Sequence, residues 1–283
     1  MRTILALTRF ELKKLWRQKK NLIGALNVVL INGLFIVAFY MTQFKRADKA
    51  VREAPDFTYG EFLNVNTYTQ VILAPSANML FPMVLSVIAG YMLAGEFELG
   101  NLRMMMFRPI SRWQMMLSKF FALSVYGAAL LAFLLVCSYI TSNLLFTHGG
   151  PALIPGEMFR LETKVVVLSA DEMPFRLVMS YILAIPMVAS VGAMALMFAV
   201  ITRHFVSAAI LTSTVYFCSQ IVGSLPMLSS IHPYLPTSYW TFYGKVLEPT
   251  IPWDTIALHA GWTAAYTGIF LAIGITSLNM RDV

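Results

Sequence analysis

The chain has 283 residues, of which 58% are hydrophobic and only 12% are charged. Its mean hydropathy is +0.68 and its formal net charge is +7. Soluble globular domains carry roughly 25% charged residues, so this composition excludes an ordinary soluble domain. The basic residues form no face with interleaved aromatics, and we therefore expect no nucleic-acid partner. The positive charge favours contact with anionic membrane lipid instead.

The amino-terminal residues 1–21 are amphipathic when they are drawn on a helical wheel. Apolar and basic side chains separate onto two sides of the helix. The apolar side holds Ile4, Leu5, Leu12, Leu15 and Trp16, and the basic side holds Arg2, Arg9, Lys13, Arg17 and Lys20. This separation favours a helix that lies in the membrane interface over a basic flank that only sets topology.

Six apolar runs are long enough to cross a bilayer, which takes about 20 residues in a helix. They cover residues 22–41, 76–95, 120–140, 176–201, 205–224 and 255–278. Only Arg203 and His204 separate the fourth run from the fifth. One long bent helix is therefore an alternative there, although it would leave an odd number of spans.

The distribution of basic residues predicts the orientation. If the amino terminus is cytoplasmic, the inner segments carry a large excess of Lys and Arg, whereas the outer loops are slightly acidic. The positive-inside rule then places both termini in the cytoplasm. We expect a multi-pass protein of a prokaryotic plasma (inner) membrane.

Three outer loops follow from this topology, at residues 42–75, 146–175 and 225–254. The second contains the β-like run TKVVVLSA, for which a hairpin and a segment lying against the membrane are the two alternatives. The third is rich in proline and aromatic residues, a composition that forbids a long helix and favours short interfacial or re-entrant pieces.

The chemistry of an enzyme is missing from the sequence. The six runs contain no Asp, Glu or Lys, and His259 is their only titratable ring. Membrane enzymes and ion-coupled carriers usually place ionisable groups at that depth. No nucleotide-binding, hydrolase or metal-binding motif occurs. We therefore predict that the chain is not an enzyme and holds no metal or cofactor.

Neutral polar side chains supply the polarity of the runs. Six of them are candidates for a translocation path or a dimer interface, namely Asn27, Asn32, Thr212, Ser213, Ser219 and Gln220. Such residues more often join neighbouring helices than contact a substrate.

A charged segment at 96–119 separates the second run from the third. Glu96 and Glu98 favour the amino terminus of a short helix over Gly100–Phe107, with apolar side chains on two opposite faces. Two apolar faces indicate two contacts, one of them with a partner, although a loop that only tethers two spans is the alternative. Beyond Pro109, Ser111 and Gln114 have the spacing of a capping box, which starts the third helix.

This segment resembles the first cytoplasmic loop of type-2 ATP-binding-cassette permeases. In that family an acidic-x-acidic-x-Gly-Thr-Leu-Arg run leads to Pro-x-x-Arg and then to a Lys. The matching residues are Glu96, Glu98, Gly100, Leu102, Arg103, Pro109, Arg112 and Lys119, whereas Asn101 replaces the usual Thr. The amphipathic start, the six spans, the aromatic loop before the last span and the terminal MRDV also resemble the family.

The resemblance implies one all-α transmembrane permease domain over residues 1–283. It implies six transmembrane helices, an amphipathic connecting helix at 1–21 and a short cytoplasmic coupling helix. Its partners would be a second permease copy and two copies of a separate ATPase subunit, which would hold ATP and Mg. The residues expected to couple to the ATPase are Glu96, Glu98, Gly100, Asn101, Leu102, Arg103, Met104, Phe107, Arg108 and Arg112.

Two functions are consistent with these features. The first is the permease half of an exporter for an amphipathic or lipid-like substrate. The second is a mechanical or scaffold subunit that passes ATPase motion to an extracytoplasmic accessory protein without carrying cargo. A continuous cavity would favour the exporter, whereas a filled interface between spans two and five would favour the scaffold.

Overall fold

The computed structural model describes residues 2–18, 22–53, 64–98, 111–146, 152–159, 165–228 and 230–280. The long helices are α1 (Arg2–Arg17), α2 (Leu22–Glu53), α3 (Val65–Glu98), α4 (Arg112–Leu145), α6 (Met173–Thr202), α7 (Phe205–Ser224) and α9 (Trp253–Asn279). The short elements are β1 (Ala152–Pro155), α5 (Gly156–Phe159), β2 (Val165–Leu168) and α8 (Pro236–Trp240).

Five of these helices, α3, α4, α6, α7 and α9, are long and apolar enough to cross a membrane. A sixth candidate span appears if α1 and the first part of α2, which meet at a bend of 60°, are counted as one. The prediction of an all-α integral membrane protein is confirmed, with five or six candidate spans in the described part of the chain.

The fourth and fifth predicted spans are separate helices, so the alternative of one long bent helix is wrong. Arg203 ends α6 with a φ of 57°, in the left-handed region. An L-residue pays roughly 1–2 kcal/mol for that conformation, so it does not continue a helix. The Arg203 N–H still donates to the Ala199 carbonyl, and α7 starts two residues later.

Within its described parts, the predicted outer loop at 42–75 has helix at both ends. Helix α2 continues to Glu53, and α3 begins at Val65 rather than near residue 76. The early start of α3 has a local cause: the Asn64 side chain caps the helix by accepting a hydrogen bond of 2.9 Å from the Thr67 N–H. Hydropathy measures the apolar part of a helix and not its whole length.

Helix α3 contains a π-helical stretch over Ser76–Leu80, between Pro75 and Pro82. A π-helical turn holds one more residue than an α-helical turn and is frequent at functional sites. In the part of α3 that precedes this stretch, buried polar side chains join α3 to neighbouring helices. Tyr68 donates a hydrogen bond of 2.7 Å to Asn32 of α2.

Helix α6 is the centre of the bundle. Of its most apolar window, 72% is buried, compared with 11% for α9 and 22% for α7. Small residues allow this central position. A Cβ atom at Gly192 would lie 3.0 Å from Leu123 of α4, and a Cβ atom at Gly127 of α4 would lie 2.4 Å from Val188. The peripheral helices α7 and α9 present apolar surface to lipid or to a partner.

In the second predicted outer loop, the hairpin alternative is the one that the structure shows. Strands β1 and β2 pair antiparallel, with Ala152 opposite Leu168. Residues 226–228, 232–234 and 236–247 form short 3₁₀ and α pieces, as their prolines predicted, and they bury Trp240 and Tyr243. The guanidinium of Arg176 anchors their end by donating a hydrogen bond of 3.0 Å to the Val246 carbonyl.

Candidate coupling site and translocation groove

Four charged side chains meet where the end of α3 packs between α1 and the start of α4. Lys119 of α4 is fully buried, and its Nζ donates hydrogen bonds of 2.9 Å to Glu11 Oε1 and to the Met92 carbonyl oxygen. The same Nζ lies 2.8 Å from Glu96 Oε2. Glu96 also pairs with Lys14 of α1. We call Glu11, Lys14, Glu96 and Lys119 the ion cluster.

The ion cluster is formally neutral, because it holds two carboxylates and two ammonium groups. Burial by itself lowers the pKa of Lys14, but the hydrogen bond and charge of Glu96 and the charge of Glu11 outweigh burial. The pKa of Lys14 is therefore raised above its ordinary value, and this side chain stays charged at neutral pH. Removing one partner of such a buried pair typically costs about 3–5 kcal/mol, because a buried charge is left uncompensated.

Glu96 and Glu98 lie in the last turn of α3, whereas the short helix that they were predicted to open lies outside the described residues. Carboxylates are disfavoured at a helix carboxyl end, and each one here has a compensating partner. The lysines of the ion cluster neutralise Glu96. Glu98 Oε1 accepts a hydrogen bond of 2.8 Å from the Phe205 N–H at the start of α7 and lies 3.4 Å from His204 Nδ1. Glu98 thus stabilises the amino terminus of α7.

Helix α4 begins at Arg112, and Ser111 is its N-cap residue. The predicted capping box is not formed, because the Ser111 side chain makes no capping hydrogen bond. Arg112 instead contacts the end of α9, where its Nη1 donates a hydrogen bond of 2.6 Å to the Leu278 carbonyl oxygen. A cation is favourable at a helix carboxyl terminus, so Arg112 joins the start of α4 to α9.

Seven predicted coupling residues lie outside the described part of the chain. They are Gly100, Asn101, Leu102, Arg103, Met104, Phe107 and Arg108. The structure does describe the residues on either side of them. Glu98 ends α3 and contacts α7, while Arg112 begins α4 and contacts α9.

A cavity of about 640 Å³ opens beside the second half of α3, between α2 and the start of α7. Its lining is mainly apolar, and the polar contributions come from Asn27, Tyr91 and Glu98. The apolar lining residues are Ile23, Gly24, Leu80, Met83, Val84, Val87, Ile88, Gly95 and Phe205. Ligand sites typically measure about 300–1,000 Å³ and combine apolar walls with a few polar groups. We call this cavity the groove.

Asn27 is the predicted path residue that lines the groove. Asn32 lies deeper in the bundle, where its Oδ1 accepts hydrogen bonds from Tyr68 and, at 3.2 Å, from Thr141. Its contacts join α2 to α3 and α4. This is the helix-joining role that neutral polar residues usually have in membranes.

The four predicted residues of α7 also make contacts within the chain. The Ser213 hydroxyl lies 3.0 Å from that of Ser86 in α3, and the Ser219 hydroxyl lies 2.7 Å from that of Thr237. Thr212 donates to the Ala208 carbonyl oxygen, and Gln220 donates to the Tyr216 hydroxyl. None of these four lines the groove.

Sequence reasoning missed Glu11 and Lys14 as members of a site. A signal was present, because Glu11 is the only acidic residue in the basic stretch 1–21. On a helix it lies one turn before Leu15, on the side that the structure buries, and it is only 3% exposed. An isolated acid on the buried side of a basic helix predicts a buried basic partner.

The apolar helices, the buried neutral polar contacts and the groove define a multi-pass membrane protein of the permease class. Residues 5–239 match the family model described as ABC-2 family transporter protein. The chain therefore belongs to the ABC-2 transporter family, and it is a membrane permease subunit of an ATP-binding-cassette transporter. Membrane subunits of this family are normally not catalytic.

One similar protein is the uncharacterized protein YhcI of Bacillus subtilis (strain 168). It is 34% identical over 64 residues, which is 23% of this chain and 20% of that protein. The match thus spans about a fifth of the relative's length.

Proposed function

We propose that this subunit is half of the membrane part of an exporter, and that its substrate is amphipathic or lipid-like. The groove is the observation that carries this proposal. Its apolar walls suit the hydrocarbon part of such a molecule, while Asn27, Tyr91 and Glu98 offer polar contacts at its edge. In this proposal a substrate of this kind enters the groove from the bilayer.

The groove also favours the exporter over the mechanical subunit. The second and fifth predicted spans, α3 and α7, pack against each other within the chain, with the Ser86 and Ser213 hydroxyls 3.0 Å apart. Beside that contact, next to Phe205 at the start of α7, lies the cavity of about 640 Å³. The open space supports the exporter.

A second permease copy packs over α3 and α7 in this proposal and closes the groove from the side. The exposed apolar residues of α7, among them Val206, Ile210 and Ile221, support a covered face. Two ATPase subunits that bind ATP and Mg complete the transporter. They lie at the cytoplasmic side of a prokaryotic plasma membrane, on the same side as both termini of this chain.

Coupling to the ATPase runs through the segment between α3 and α4. The residues from Gly100 to Arg108 supply the contact surface, with Phe107 as its apolar anchor. Glu96 acts from inside the protein, since it is 4% exposed and held by the ion cluster. Glu98 and Arg112 act by joining the two ends of the segment to α7 and α9.

A groove-filling substitution tests the proposal. Val87 lines the groove and is 44% exposed, whereas Val125 of α4 is 49% exposed and does not line it. ATP-dependent uptake of the amphipathic dye rhodamine 6G and of a fluorescent phospholipid is measured in inverted membrane vesicles that contain the ATPase subunit. Val87→Trp should abolish uptake of the transported probe, and Val125→Trp should preserve it. Equal uptake by both variants, or no uptake of either probe by the unmodified protein, would count against the exporter.

A further inference from the structure

The groove is long and narrow. Eight of the residues that line it belong to α3 and recur at each turn from Leu80 to Glu98, a distance of about 27 Å at 1.5 Å per residue. The hydrocarbon core of a bilayer has a similar thickness of about 30 Å. Spread over that length, the volume of about 640 Å³ leaves a mean width of roughly 5–6 Å. Carbon atoms in contact lie about 3.5–4.0 Å apart, so the groove has room for one extended hydrocarbon chain and not for two chains side by side.

The two ends of the groove differ in polarity. At one end the α3 residues are apolar, among them Leu80 and Met83. At the other end lie the Glu98 carboxylate and the rings of Tyr91 and Phe205. These two rings stand edge to face, with centroids 6.1 Å apart and an angle of 87° between their planes. A molecule that matches both ends has a hydrocarbon chain and one polar head.

Glu98 gives the polar end of the groove a negative charge. It is the only charged residue among the described residues that line the groove, and its side chain is 40% exposed. Its contacts with the Phe205 N–H and with His204 both use Oε1. Within the described part of the chain no residue donates a hydrogen bond to Oε2. This second oxygen can therefore accept a hydrogen bond from a ligand.

The surroundings of Glu98 favour a cationic head over an anionic one. Two nearby cations are engaged outside the groove, since Lys14 pairs with Glu96 and Arg203 lies 5.5 Å from the centroid of the Phe97 ring. The amino terminus of α7 would attract an anion, but Glu98 already accepts the hydrogen bond of its first residue. An anionic head would meet a like charge there, whereas an ammonium head can pair with the carboxylate and contact the aromatic rings.

We propose that the groove binds a single-chain cationic amphiphile, with its ammonium head beside Glu98 and its hydrocarbon chain along α3 toward Leu80. This inference rests on the proposed export function and names the class of its substrate. A long-chain alkylamine and an alkyl quaternary ammonium compound have this chemistry. A phospholipid with two chains does not have it, and neither does a single-chain anion such as a fatty acid.

Photolabelling of the full chain in phosphatidylcholine nanodiscs tests the proposal. Three probes share a 16-carbon chain with a diazirine at its end and differ in the head, which is trimethylammonium, hydroxyl or sulfonate. Labelling at residues 80–88 is measured by mass spectrometry and divided by the labelling of α9 around the exposed Leu258. The division corrects for unequal partitioning of the probes into the bilayer. The ratio for the cation should exceed that for the sulfonate about 10-fold or more, the usual effect of a hydrogen bond to a charged group.

Glu98→Gln is the diagnostic variant, because it removes the charge but keeps the side-chain shape and an oxygen for the Phe205 N–H. The ratio for the cation should then fall to that for the alcohol. The matched control is Glu172→Gln, since the Glu172 side chain is 57% exposed and does not line the groove. This control should keep the ratio of the unmodified protein.

The width of the groove is tested by displacement of the cationic probe. Hexadecyltrimethylammonium, with one chain, should displace it. Dihexadecyldimethylammonium, with two chains, should leave the labelling unchanged at the same concentration.

Equal ratios for the three heads, a preference for the sulfonate, or a cationic preference that persists in Glu98→Gln would overturn the inference. Equal displacement by the one-chain and two-chain compounds would overturn it as well. The comparison of heads uses the unmodified protein, so it decides the question even if Glu98→Gln does not fold. Failure of the proposed function looks different: the inverted vesicles then show no ATP-dependent uptake of the cationic probe, while photolabelling keeps its preference for the cation.

Discussion

Replacing Lys119 by methionine should strongly destabilise the protein. The substitution keeps the length of the side chain but removes the ammonium group that contacts Glu11 Oε1, Glu96 Oε2 and the Met92 carbonyl oxygen. Glu11 and Glu96, which are 3% and 4% exposed, are then left with only Lys14. Breaking a buried charge cluster costs about 3–5 kcal/mol. At roughly 2–4 °C per kcal/mol for a chain of this size, the midpoint of thermal unfolding should fall by about 6–20 °C.

The measurement is thermal unfolding in detergent, followed by tryptophan fluorescence. A double variant, Lys119→Met with Glu11→Gln, supplies the control, because it leaves Lys14 and Glu96 as a neutral pair. It should regain part of the lost stability, since one uncompensated carboxylate has gone. A single variant as stable as the unmodified protein, or a double variant less stable than the single one, would refute the charge-balance reasoning.

Three further results are expected. Gly127→Ala should destabilise the bundle by roughly 1–3 kcal/mol through a clash with Val188, whereas Gly268→Ala, with open space around its Cβ, should be neutral or stabilising in the same unfolding assay. Phe107→Ala should weaken ATPase binding about 30-fold, if it costs the roughly 2 kcal/mol of an interface anchor; unchanged co-purification of the ATPase would contradict this. Met227→Cys, at a position that is 93% exposed, should react with an impermeant maleimide on intact cells, and a reaction only after permeabilisation would reverse the orientation.

The membrane class and most helix positions could be predicted because hydropathy is a property of local sequence. The break at Arg203 and His204 was visible as two polar residues between apolar runs, and the structure places a left-handed residue there. The start of α3 at Val65 was not predicted, because polar residues such as Thr67 and Gln70 lower the hydropathy of its first turns. They are buried by contacts that only the folded bundle supplies.

Partners that are distant in sequence explain the remaining differences. Glu96 and Glu98 were predicted to favour a helix amino terminus, but in the structure both need a compensating group at the end of α3. The compensating groups are Lys14, Lys119 and the amino terminus of α7, and the sequence spacing gives no information on which of these lies nearby. Sequence spacing also gives no information on the partner of Arg112. This residue was predicted to contact the ATPase, and it donates a hydrogen bond to the end of α9.

The π-helical stretch of α3 has a consequence for register. One extra residue in a helix shifts the phase of every later side chain by about 100°, because an α-helical turn takes 3.6 residues. Tyr68, before the stretch, and Glu96, after it, therefore belong to two different helical phases. Each half of α3 meets its own partners, Asn32 in one case and Lys119 in the other. Loss of a single residue between 76 and 80 would restore a continuous α-helix and leave Glu96 facing Lys119. A substitution that converted the stretch to α-helix with all residues kept would instead turn Glu96 away from Lys119, although no charged residue had been altered.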